Sequence, residues 1–246
     1  MALSACVGPN EQEPDGPKPP TAPRAAATQR ADDESGFVSL FDGKNLGQWD
    51  GDPRLWSVEN GAITGRTTPQ IRAERNTFLV WRGGEVRDFE LRLRVRISGD
   101  NNSGIQYRSR EREKWSVVGY QCDVGAGRSD RGSHYAKLSW EGGGRLAPLC
   151  PAGGKVVIHP DGRRESLGAV GDAEAIRAGM RDGQWYEFTV IAANSRLEHK
   201  VNGQVVVDAI DEEAGARAES GILALQIHSG PPMVVQFKDL RLKTLP

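Results

Sequence analysis

Nine residues from Phe89, FELRLRVRI, put an apolar side chain at Phe89, Leu91, Leu93, Val95 and Ile97 and a charged one at Glu90, Arg92, Arg94 and Arg96. A helix cannot use a period of two, because its apolar stripe returns every 3.6 residues. The pattern describes a strand with one face in a core and the other in water. Shorter runs of the same kind recur at 55–58, 62–64, 78–81, 104–109, 117–124, 155–158, 185–192, 196–201, 204–207, 221–228 and 233–243. Asn60-Gly61, Asp161-Gly162, Asp182-Gly183 and Asn202-Gly203 stand between them as turn signals. Many short strands with polar turns predict an all-β fold, a jelly-roll sandwich of two antiparallel sheets. One short helix is expected, capped by Asp172, spanning Ala173 to Ala178 and ended by Gly179.

The strands do not begin at the start of the chain. Residues 1–36 hold six of the 14 prolines and seven alanines, while all 16 aromatic residues lie from Phe37 onward. Such a segment buries too little apolar surface to offset its ordering entropy and reads as a disordered tether, leaving 37–246 as one sandwich domain. Near its beginning Leu3-Ser4-Ala5-Cys6 resembles the lipobox of bacterial lipoproteins, although only five residues precede Cys6, too few for a signal peptide. That resemblance implies an exported protein at the cell envelope or periplasm, lipidated at Cys6. In such a compartment Cys122 and Cys150 can form a disulfide; the alternative is that Cys122 is a buried free thiol on the apolar side of a strand.

Net charge is −1, with 32 Lys and Arg against 33 Asp and Glu, a balance that argues against nucleic acid and against polybasic membrane binding. Contact with a membrane is expected only through the anchor at Cys6. No stretch approaches the roughly 20 apolar residues of a spanning helix. The sequence requires no cofactor, and no Cys or His spacing suggests zinc. Asp50 and Asp52 are compatible with a Ca²⁺ site or, equally, with a turn at 51–53.

Three strands carry polar residues in pairs on one face. Gln106 and Arg108 stand opposite Ile105 and Tyr107, Gln121 and Asp123 opposite Tyr120 and Cys122, and Gln226 and His228 opposite Leu225 and Ile227. As neighbours in one sheet they make a platform of hydroxyl-binding groups, with Trp115, Tyr135 and Trp140 available for stacking. The competing account is the solvated face of a half-exposed sheet.

These residues also fall in motifs. Phe41-Asp42-Gly43-Lys44 with Leu46 and Trp49, Trp56 to Ile63, Asp88-Phe89-Glu90-Leu91, Asn102 to Arg108, Gly119-Tyr120-Gln121 and Gly221 to Phe237 follow, in order, the pattern of the 3-keto-disaccharide hydrolase family. The resemblance covers essentially all of 37–246. It implies a concanavalin A-like sandwich that binds an oxidised glucoside or disaccharide on its concave sheet. It also implies cleavage by removal of the C2 proton, elimination and hydration. Carried onto this chain, the base is Asp123 or His228, Arg108 faces an oxyanion or hydroxyl, and Gln106, Gln121, Tyr120 and Gln226 bind substrate. Glu141, as a second carboxylate, joins Arg145 and Trp140 in a glycine-rich loop closing over the platform, and Lys200 reaches the sheet rim. The chain departs from the family pattern where Gln121 replaces Glu and Asp123 replaces Gln, moving the carboxylate two residues along the same face. The alternative function is a non-catalytic carbohydrate-binding module of the same fold, anchored at the envelope.

Overall fold

The computed structural model describes residues 34–98, 101–125, 136–145, 147–172, 175, 178 and 183–246. Cys6, His134 and Tyr135 lie outside them. The compact unit that carries the fold runs from Gly36 to Pro246. The strands read from the sequence are all present, arranged in two sheets.

The larger sheet is ordered β11 (Arg164–Ala169), β10 (Gly154–Ile158), β14 (Gln204–Asp211), β13 (Arg196–Val201), β12 (Tyr186–Ala193), β6 (Phe89–Ile97), β16 (Val234–Thr244), β4 (Ala62–Arg66) and β3 (Trp56–Glu59), with β1 (Val38–Ser39) also against β16. The smaller is ordered β2 (Trp49–Asp50), β5 (Thr77–Trp81), β15 (Ile222–Ile227), β7 (Asn102–Glu113), β8 (Ser116–Gly125) and β9 (Leu138–Glu141). Pairing is antiparallel except between β10 and β14. The alternation of FELRLRVRI is realised residue by residue, its odd positions buried and its even ones at least partly exposed. Leu91, Leu93, Phe188, Val190 and Phe237 of the larger sheet pack in one core with Ile105, Tyr107, Tyr120, Leu225 and Ile227 of the smaller.

Two strands have no strong alternation to announce them. Strand β11 is exposed along its whole length at the edge of its sheet, so no burial selects its residues. Strand β9 contains Trp140 and Glu141, which the sequence reading put in a loop. The glycine-rich turn starts only at Gly142, where Gly142, Gly143 and Gly144 all take positive φ. Of the expected helix, Ala175 and Ala178 are helical, and Asp172 Oδ1 accepts from Ala175 N at 2.8 Å as an N-cap does.

Cys122 and Cys150 are both buried and free, so the disulfide is not formed. Cys122 pairs with Leu138, and Leu138 in turn bridges to Cys150. One strand therefore separates the two cysteines, a distance of about 9–10 Å, beyond the Cα separation a disulfide tolerates. Burial pushes the Cys150 thiol up to about 12.

A polar chain crosses the core between the sheets. His199 Nδ1 donates to Ala136 O at 2.8 Å, which leaves Nε2 to accept from Tyr107 Oη at 2.9 Å. Tyr107 stacks on Tyr120 at 5.6 Å, and Tyr120 Oη donates to Asp211 at 2.5 Å. Arg145 closes the chain, its Nη1 2.7 Å from Asp211 and its Nη2 2.6 Å from Glu213. Burial lowers the His199 pKa to about 4, against about 6.5 in an unfolded chain. Between those values the unfolded state binds the extra proton, so stability is complete above about pH 6.5 and declines as pH falls toward 4. Urea unfolding from pH 7 to pH 4 is expected to show a loss of up to about 3 kcal/mol from this group. A His199→Gln variant lacks that part of the slope; an unchanged slope would remove His199 as its source.

Candidate functional site

The smaller sheet turns its inner face to the core and curls its outer face on itself. Phe78 N in β5 donates to Trp115 O in the β7–β8 turn at 3.0 Å, although β15 lies between β5 and β7 in the sheet. Arg82, just after β5, reaches Glu111 of β7 at 2.6 Å. The curl buries a second apolar cluster of Phe78, Val80, Val117 and Ala224 on the outer face. Beside it lie the paired polar residues expected from the sequence.

The register brings four of them together. Gln106 stands opposite Gln121 and Gly104 opposite Asp123, while Ala224 faces Gln106, which aligns Gln226 with the same rows. Ser109 Oγ donates to Gln106 Oε1 at 2.7 Å, Gln106 Nε2 to Gln121 Oε1 at 2.6 Å, and Gln121 Nε2 to Asp123 Oδ1. Ser139 Oγ donates to Asp123 Oδ2 at 2.7 Å, and Lys137 Nζ lies 3.4 Å from the same oxygen. The chain thus runs donor to acceptor and ends on the Asp123 carboxylate. Only a glycine fits beneath it: a Cβ on Gly104 would stand 2.3 Å from Gln121 Cδ. Burial raises the Asp123 pKa, outweighing the three donors that lower it.

A second group forms around Gln226, which is fully buried. Its backbone carbonyl accepts from Ser103 Oγ at 2.6 Å, its Nε2 donates to Glu141 Oε2 at 3.3 Å, and its Oε1 is buried without a partner. Asn76 Nδ2 donates to Glu141 Oε1 at 3.1 Å, and Asn76 Oδ1 accepts from Ser229 N at 3.1 Å. His228, the next residue back, donates from Nδ1 to Ser229 O at 2.5 Å. That tautomer leaves Nε2 as an acceptor, and among the described residues nothing bonds to it. Glu141 and His228 are both half-buried, so each keeps a path to solvent that Asp123 lacks.

Five of the expected site residues lie elsewhere. Arg108 is turned off the face by an irregularity in the β7–β8 register after Tyr107, with φ at +44°. Its guanidinium donates to Arg87 O at 2.6 Å, Asn194 O at 2.8 Å and Asp88 Oδ1 at 2.9 Å, so it is a clamp between the sheets. Tyr120 faces the core. Trp140, on the opposite side of β9 from Glu141, packs edge-on against Tyr120 at 5.0 Å. Arg145 is held inside by Asp211 and Glu213. Lys200 belongs to the other sheet and pairs with Glu198 at 3.0 Å. Trp115 donates from Nε1 to Asp50 at 3.2 Å, and Asp52 is occupied by Arg54 at 2.6 Å. Among the described residues no three His, Cys, Asp or Glu side chains gather as a metal set.

Sequence reasoning missed Asn76, Lys137, Ser139 and Ser229. For two of them the signal was there: Lys137, Ser139 and Glu141 alternate with Leu138 and Trp140, a short period-two run hidden by the glycines after it. Asn76 and Ser229 sit in connections, where no periodicity exists to place them.

Asp123→Asn is expected to leave the melting temperature unchanged or raise it at pH 7–8, because the ionised carboxylate is the costly form in the folded state. The advantage should vanish in acid, where Asp123 is protonated folded and unfolded alike. Calorimetry at pH 8 and at about pH 3, below the unfolded aspartate's pKa of about 3.9, checks it; a large loss at pH 8 would mean the charge itself holds the sheet.

The 3-keto-α-glucoside-1,2-lyase-like domain model matches residues 36–243. Two solved structures from Parabacteroides distasonis, provisionally assigned as glycosyl hydrolases, superimpose with TM-scores of 0.55 and 0.55 at 16% and 17% identity. They cover 85% and 92% of this chain and 99% of each of theirs. A Bacillus subtilis protein of unknown function with a galectin-like fold aligns with a TM-score of 0.50 at 8% identity, over 80% of this chain and 87% of that one. No curated protein matches the sequence. Matched by that model from residue 36 to residue 243, the chain belongs to the 3-keto-α-glucoside-1,2-lyase-like domain family.

Proposed function

We propose that the protein cleaves the glycosidic bond of sugars already oxidised at C3, by elimination and then hydration. The observation that carries this is the pairing of Glu141 with His228 through Asn76 and Ser229, two half-buried proton carriers at the margin of a buried hydroxyl-binding face. A 3-keto group acidifies the proton on C2. His228 Nε2, free to accept, removes it; electrons move into the C2–C1 bond, and the glycosidic oxygen departs from C1. Glu141 delivers the proton that oxygen needs, and water adds across the new double bond.

Asp123 is a positioning residue in this reading. Both its oxygens are engaged, and the chain from Ser109 through Gln121 fixes the floor on which the sugar rests. Lys137, beside Asp123, is the cation this face offers for negative charge developing on the ketone oxygen, the role that Arg108 cannot fill from the core.

Product analysis after incubation with a chemically oxidised disaccharide tests the reading. The expected products are the released sugar and the 3-keto monosaccharide. Glu141→Gln and His228→Ala are each expected to lower turnover by roughly 10²–10⁴ with little change in melting temperature. Undiminished turnover in both would reject this pair. If no oxidised disaccharide is cleaved, yet one raises the melting temperature, the carbohydrate-binding module replaces the enzyme.

A further inference from the structure

Among the described residues, two buried side-chain acceptors of the smaller sheet have no hydrogen-bond partner, Gln226 Oε1 and Asn102 Oδ1. They belong to neighbouring strands. Strand β15 runs against β7 with Ala224 level with Gln106 and Leu225 level with Ile105, and that register, continued, sets Gln226 level with Gly104 and His228 level with Asn102. The Ser103 hydroxyl on the Gln226 carbonyl, at 2.6 Å, keeps the strands in step there. Alternation along β7 places Asn102 on the outer face with Gly104 and Gln106. Both orphaned acceptors therefore lie on the face that carries the site, one on each side of the row that His228 continues. An unpaired buried acceptor is unfavourable, and a single ligand with two O–H donors relieves both.

We infer that these two amides read the hydroxyls flanking the ketone of the oxidised sugar, Gln226 the one on C2 and Asn102 the one on C4, so that the substrate is a 3-keto glycoside unsubstituted at both positions. This rests on the reaction proposed above. A ketone oxygen only accepts, so amide oxygens pass it over and take O–H groups. Their neighbours decide which. Glu141 Oε2 accepts from Gln226 Nε2 at 3.3 Å, and Glu141 serves the oxygen on C1, which sets Gln226 against the next carbon, C2. His228, two residues on and roughly 6.5–7 Å along an extended chain, takes the proton from that same carbon. The hydroxyl on the far side of the ketone, on C4, then falls to Asn102 beside His228. Gln226 is fully buried and Glu141 half-buried, so the sugar reaches the amide by drawing Glu141 off it, across a bond long enough to be exchanged.

Calorimetric titration of the full chain carrying His228→Ala, with a 3-keto disaccharide and with its 2-deoxy and 4-deoxy analogues, tests this without turnover. Each analogue is expected to bind roughly tenfold to a hundredfold more weakly than the parent. Adding Gln226→Met should erase the difference for the 2-deoxy sugar and leave that for the 4-deoxy sugar; adding Asn102→Leu should do the reverse. Damage to the fold would weaken all three sugars alike, so the ratios isolate the contacts. Should either variant not fold, the two ratios in the His228→Ala chain decide. Equal binding of all three sugars, no binding of the parent, or ratios that neither variant changes overturn the inference. Equal binding together with cleavage of the parent by the unmutated chain leaves the Glu141 and His228 reaction standing. Preserved ratios without cleavage reject that reaction and uphold the two acceptors as a sugar site.

Discussion

Dehydration of the outer face of the smaller sheet governs the site. An ordinary sandwich leaves that side of a sheet wet, and its polar side chains then bond to water at little cost. Here β5 curls to meet the β7–β8 turn, and Gln106, Gln121, Asp123 and Gln226 are nearly as buried as the core. Each polar atom must find a partner in the protein or remain unpaired, and an unpaired buried group costs roughly 1–3 kcal/mol. The donor-to-acceptor chain from Ser109 to Asp123 answers that requirement, and Gly104 leaves the room it occupies. Gln226 Oε1 does not answer it. An orphaned acceptor beside Glu141 is unfavourable in the free protein and is the kind of group that a substrate hydroxyl satisfies.

The same dehydration sorts the two carboxylates. Asp123 is enclosed, with a raised pKa and both oxygens engaged; Glu141 stays half-buried with amide donors from Asn76 and Gln226. A group that must meet a substrate atom needs approach as well as basicity. That favours Glu141 and His228 for proton transfer and leaves Asp123 to fix geometry. It also gives a physical reading of the departure that the sequence resemblance implied, Gln121 for Glu and Asp123 for Gln. A carboxylate at position 121 would stand over Gly104 and face Gln106, whereas at position 123 it meets Ser139 and Lys137.

Strand periodicity made the sandwich legible in advance, and with it which polar side chains share the outer face of the smaller sheet. FELRLRVRI could be nothing but a half-buried strand, and the alternations at Gln121 and Asp123 and at Gln226 put those side chains on the outer face, where the sheet register has them. Arg108 failed because alternation assumes an unbroken pleat, and a register irregularity of one or two residues rotates every later side chain. Trp140 failed for a related reason: read in a loop it had no facing, but in β9 it must point opposite to Glu141. Tyr120 was always on the core side of its strand, and only the borrowed motif suggested contact with substrate. Asn76 and Ser229 could not be read at all, since their place depends on how two connections meet.

Charge shows the same limit on a larger scale. A sum over the chain says little about any one face, because salt screens fields beyond about 8–10 Å and each face is governed by the charges nearest to it. On β6 and β16 the local balance is basic, and the aromatic rings of Phe37 and Trp185 hold the cations in place without neutralising them, since a ring's quadrupole attracts a cation and carries no net charge. Carboxylates in those positions would have held the same side chains equally well and cancelled the field. Supporting Lys238 and Lys243 on rings, and Arg96 on a ring and the neutral Gln236 amide, therefore leaves these two strands locally basic in a chain whose total charge is close to zero.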